Sequence, residues 1–179
     1  TKPWWNKSAM DSIRMGEPTY YLFGDINLML YECYAPVVFN KTMADNNKLE
    51  NLYTVVENGK WTLDKMNEYM TTAASDLNGD TNIDADDQFG LAVYKWNSLS
   101  FLTGASVSLV TKDDNNMPVY SGVSDKFSKV FEKVASSIFA EKELVIDNNT
   151  SGLSKFENGI TTKFANGGSL FFIEPIGSM

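Results

Sequence analysis

The chain has 179 residues, 43% hydrophobic and 21% charged, which is ordinary globular make-up with enough apolar material for the core of one domain. Its net charge of −8, without a basic run, argues against nucleic acid and anionic membrane surfaces as partners. The absence of histidine removes the usual zinc ligand and the usual general base.

Residues 1–17 combine a proline, two tryptophans and a short helical pattern (Ala9, Met10, Ile13), and read as a lead-in segment, with Trp4 and Trp5 as packing groups or contacts to a further lobe. Tyr20 to Phe23 then read as a strand punctuated by Gly24-Asp25. A second apolar run ends β-rich at Val37, Val38 and Phe39, with Pro36 placing the strand's start. Cys33, the single cysteine, lies among apolar residues and is expected to be a buried thiol. From Asn40 the pattern turns helical in two short pieces and stops at Asn58-Gly59. Thr62 caps a clear helix over 63–75, with Leu63, Met66, Met70, Ala73 and Ala74 on one face and Asp64 in the first turn.

That helix runs directly into Asp76–Asp87, the stretch DLNGDTNIDADD. Asp76, Asn78, Asp80, Asp84 and Asp87 fall at loop positions 1, 3, 5, 9 and 12. Asn82 at position 7 would offer its backbone carbonyl. This is the spacing of a calcium loop, because a hard cation wants six to eight oxygens and alternate residues of a tight loop can converge on one centre. Calcium suits such a protein-rich ligand set better than magnesium, which keeps several waters in strict octahedral geometry. The pattern departs in two places. Thr81 stands at position 6, where the sharp turn favours Gly, and Asp87 is a shorter arm than the usual Glu.

Phe89 to Tyr94 form a short buried strand followed at once by Trp96-Asn97. Residues 99–111 are apolar, with a helix breaking at Gly104. Val107 to Tyr120 read as a hairpin turning through Asp113–Asn116. Ser124 caps the next helix, whose stripe Phe127, Val130, Phe131, Val134, Ile138 and Phe139 is expected in the core. DNNTSG is a loop, SKFENGITTKFANGG gives short helical turns, and SLFFI closes as a buried strand. Strands separated by helices argue for an α/β architecture, a short sheet flanked by helices. No apolar run is long enough to span a bilayer, and no signal-peptide pattern is seen. The end, FFIEPIGSM, stops just after an apolar strand, which suggests a fragment of a longer protein.

The segments APVVFNK, GKWTLDKMNEYM, DLNGDTNIDADDQFGLAVY and FANGGSLFF, in this order, resemble the extracellular solute-binding proteins of family 1. These are the carbohydrate-binding lipoproteins of bacterial ABC importers, relatives of the maltose-binding protein. The resemblance runs from about Gly24 to the end and covers mainly the family's central block. It implies one lobe of a type II periplasmic-binding-protein fold, a mixed sheet whose strand ends face a sugar-binding cleft. It also implies a missing second lobe of the same chain, a membrane permease as partner, and an extracellular, lipid-anchored parent. Calcium would be a structural staple, and no catalysis is expected.

Sugars pack C–H faces on aromatic rings and present hydroxyls to Asp, Asn or Glu. In doubly wound sheets ligands sit beyond the carboxyl ends of strands. Trp96 and Asn97 follow one strand, Asp25 another and Glu174 a third, so these four are the candidate sugar contacts. Plainer roles also fit: Trp96 covering the core edge, Asn97 and Asp25 as caps or turn residues, Glu174 as a solvated turn before Pro175. A dockerin-like calcium module would also use such a loop, but dockerins are short and carry two. A glycoside hydrolase fragment would need a defensible carboxylate pair.

Overall fold

The computed structural model describes residues 2–140, 143–150, 152–155, 157 and 159–178. In chain order it gives α1 (Lys7–Ile13), α2 (Met29–Glu32), β1 (Val37–Phe39), α3 (Lys41–Asn46), α4 (Leu52–Glu57) and α5 (Leu63–Ala73). Then follow β2 (Phe89–Val93), α6 (Leu99–Gly104), β3 (Val110–Lys112), β4 (Pro118–Tyr120), α7 (Asp125–Val134), β5 (Val145–Ile146), α8 (Ile160–Ala165) and β6 (Ser169–Ile173). Many helix starts are set by one local device. Asn6, Asn40, Asn51, Thr62 and Ser124 each accept the backbone N–H three residues on, at 3.0–3.2 Å.

The main sheet runs β1-β6-β2-β5. β6, β2 and β5 are parallel, with Leu91 opposite both Phe171 and Val145. β1 lies antiparallel on the β6 edge, Val37 facing Ile173. The two central strands, β2 and β6, are buried at every position, because helices cover both faces of the sheet. Side chains alternate: Leu91, Val93, Phe171 and Ile173 join Met66, Met70 and Tyr69 of α5 in one cluster. Ala92, Phe172 and Ile146 meet Ile160 of α8 and Leu153 in the other. Trp61 seals the first face with its ring edge-on to Phe171 at 5.5 Å. α5 comes so near β2 that a Cβ added to Gly90 would lie 2.4 Å from the Met70 Cβ. Among the described residues no helix is long and apolar enough to cross a membrane.

Several expectations need correction. Tyr20 to Phe23 form no strand; Tyr20, Tyr21 and Leu22 are exposed, and only an isolated bridge joins Gly24 to Trp5. Aromatic residues favour strands when a pleated partner packs against them, and no strand of the described sheet pairs there. Cys33 is exposed, not buried, since it ends the single turn α2 on the surface beside exposed Tyr31 and Tyr34. The 63–75 helix ends at Ala73, and Tyr69 joins its buried face. Tyr69 donates to Glu50 at 2.7 Å, and burial pushes its phenol up to about 12. Along α7 the stripe turns outward at Phe131, which is exposed, while Val134 and Ile138 are buried; a π-helical segment follows at Ala135–Phe139. The rest of that stretch, Glu141-Lys142, lies outside the described residues.

Candidate functional site at the carboxyl edge of the sheet

The parallel strands deliver their carboxyl ends to one edge. Beyond β2, Tyr94 leads into a 3-10 turn over Lys95–Ser98. The Asn97 N–H donates to the Tyr94 carbonyl at 2.8 Å, and this tight turn brings Trp96 back over Tyr94. The two rings stack at 6.0 Å and 23°. Trp96 remains 58% exposed, so the pair presents an aromatic plate to solvent.

Beneath the plate the turn is tied to the neighbouring strand. Asn97 Nδ2 donates to the Ile173 carbonyl at 3.1 Å and to Glu174 Oε2 at 2.9 Å. Both side chains are buried, at 3% and 4% exposure. Glu174 is therefore no solvated turn. Desolvation raises its carboxyl above the ordinary value of 4.5, opposed by hydrogen bonds from Asn97 and Ser178. The arrangement makes Asn97 and Glu174 a lock between the ends of β2 and β6, and leaves Trp96 as the exposed member of the trio.

Asp25 follows no strand; it lies exposed in a turn, and its N–H donates to the Trp4 carbonyl at 3.0 Å. The structure also brings up residues that the sequence left as a plain loop. A depression of about 380 Å³ opens beside Tyr94, lined by Asn148, Asn149, Thr150, Leu153 and Ser154 after β5. The loop is pre-shaped: Asn149 N–H donates to Asp147 Oδ1 at 2.7 Å, and Asp147 N–H to Thr150 Oγ1 at 3.0 Å. Uncharged amides and hydroxyls beside an aromatic ring are what a polyhydroxylated ligand can use.

The acidic loop lies between α5 and β2, away from that edge. Its ends are clamped by paired backbone bonds between Ser75 and Gln88, both 2.9 Å. Asp76 accepts the Gly79 N–H at 2.7 Å and the Thr81 N–H at 3.0 Å. Asn78, Asp80 and Asp84 each accept the N–H two residues on, at 2.7–2.9 Å. Asp87, fully buried, holds Leu77 N–H and Asp84 N–H at 3.0 and 2.9 Å. Thr81 adopts the left-handed region at φ 65°, where its β-branched side chain costs about 1–2 kcal/mol. The oxygens of positions 1, 3, 5, 9 and 12 are thus turned onto the loop's own amides and retain further lone pairs. Among the described residues no three Asp, Glu or Cys side chains converge on one metal centre. A calcium set here would draw also on Asn78 and on the Asn82 carbonyl.

Compared with family models, curated proteins and solved structures, the chain gives no significant match to any.

Proposed function

We propose that this chain is one lobe of an extracellular carbohydrate-binding protein that serves an ABC importer and captures an oligosaccharide without turning it over. The observation that carries the reading is the Trp96–Tyr94 plate standing beside the amide- and hydroxyl-lined depression at the carboxyl edge. A sugar ring would stack on Trp96, and its hydroxyls would bond Asn148, Asn149, Thr150 and Ser154. Asn97 and Glu174 hold the plate in register, their polar edges reaching the ligand only at the rim. The order of motifs from APVVFNK to FANGGSLFF supports the same reading, and so does the sheet, parallel except for its edge strand. A second lobe of the same chain would close over the edge and bury the other sugar face, shifting the population toward a closed form for the permease. The exposed apolar surface of Tyr20, Leu22, Ile26, Leu28, Met29 and Tyr34 supports such a covering lobe. Calcium in the 76–87 loop would staple α5 to β2 and do no chemistry.

Titration of tryptophan emission with maltose-, xylan- and mannan-derived oligosaccharides tests this. A saturable blue shift is expected for one class, lost in Trp96→Ala, with Trp4, Trp5 and Trp61 left as a constant background. A response unchanged by the substitution would move the ligand elsewhere.

A further inference from the structure

On the opposite part of the chain α1 carries a row that the sugar reading does not use. Lys7 and Asp11 of α1 and Arg14, the residue that caps its end, recur at helical spacing and so share one side. The β3–β4 hairpin packs across from them. Two links hold the pair together: the Gly16 N–H donates to the Asn116 carbonyl at 3.2 Å, and Lys112 Nζ donates to the Asp11 carbonyl. Between them lies an open cleft of about 970 Å³, lined by Lys7, Ser8, Asp11, Arg14, Lys112 and Asn116 among others.

Its charge is unlike the rest of the molecule. The chain is at −8, yet three cations and one carboxylate line this cleft. None of the three cations is ion-paired among the described residues. Arg14 is the only arginine of the chain, and it lines the cleft between the two lysines. A guanidinium offers a planar fork that fits two oxygens of one oxyanion, and the two ammonium groups add charge without geometric demand. With Asp11 subtracted from three cations, two net positive charges remain for the ligand to match.

We propose that the cleft between α1 and the β3–β4 hairpin binds a small, doubly charged oxyanion, with Arg14 as its bidentate partner and Lys7 and Lys112 as flanking charges. Phosphate monoesters and dicarboxylates share this chemistry. Lys112 keeps two N–H donors beyond the one given to Asp11. The site stands independently of the sugar edge.

A single arginine gives a single Nε–Hε cross-peak in the spectrum of the 15N-labelled chain, so the reporter is unambiguous. Inorganic phosphate and succinate are titrated separately at mildly alkaline pH, with ionic strength held constant by sodium chloride. A saturable shift of the Arg14 peak is expected with at least one of them. Saturation by phosphate alone assigns a phosphate-bearing ligand, and by succinate alone a dicarboxylate. Lys7→Gln, at an exposed position, is expected to weaken binding by about tenfold. Arg14→Lys, followed through the backbone amides of Asp11 and Lys112, is expected to weaken it at least as much. Unshifted β2 and β6 amides certify that both variants fold. A shift that follows chloride equally, or saturation curves unmoved in both variants, overturns the proposal.

Discussion

At the scale of single residues, Glu174 is the most informative. A carboxyl buried at 4% exposure and held above 4.5 binds its proton more tightly in the folded chain than in the unfolded one. The stability that the neutral form contributes is therefore fully present at and below the ordinary carboxylate range, and is lost as pH rises through the folded value. Glu174→Gln keeps an acceptor for Asn97 and removes the titration. It is expected to flatten the fall of Tm above pH 4.5 and to gain about 1 kcal/mol, or about 3 °C, at neutral pH; parallel melting curves for the two proteins would contradict this. Gly90 gives the opposite expectation. Its added Cβ would meet the Met70 Cα at 2.5 Å, backbone that cannot swing aside. Gly90→Ala should cost about 2–3 kcal/mol by denaturant unfolding, the scale of an overpacked core, and an unchanged midpoint would mean that α5 is free to move off β2.

Among the elements, the ones with strong local signals were legible. Helix α5 announced itself by Thr62, by its apolar spacing and by the loop that ends it; β2 and β6 by short, nearly continuous apolar runs; the hairpin by its four-residue polar turn. Tyr20–Phe23 had the composition of a strand but gains no more than an isolated bridge at its end, between Gly24 and Trp5, and composition cannot supply a partner strand. The residues after β5 were read as a loop and not as part of the site, for the converse reason. Nothing in DNNTSG is unusual alone; it gains meaning because the β2–β5 pairing sets it beside Tyr94, a register fixed by contacts distant in sequence. The 76–87 loop was legible down to its weak point, since Thr81 does take the left-handed backbone that Gly would take freely. Thr81→Gly should therefore stabilise the chain by about 1 kcal/mol in thermal melts with EDTA present. Millimolar calcium should raise Tm further, by mass action on the folded loop. Equal melting with EDTA and across a calcium series would count against the ion.

For the whole molecule, the α/β class and the alternation of helix and strand were readable from the chain, and the mixed sheet flanked by helices bears them out. The candidate site was partly readable: Trp96, Asn97 and Glu174 do gather at one edge, Asp25 follows no strand, and the polar depression came only with the fold. The measurement that tests the central claim most directly is isothermal calorimetry of the oligosaccharide panel against the chain and its Trp96→Ala variant, with reducing ends assayed in the same samples. Saturable heat for one sugar class, abolished in the variant and without new reducing ends, is the predicted result. No heat with any sugar, or heat accompanied by hydrolysis, would contradict it.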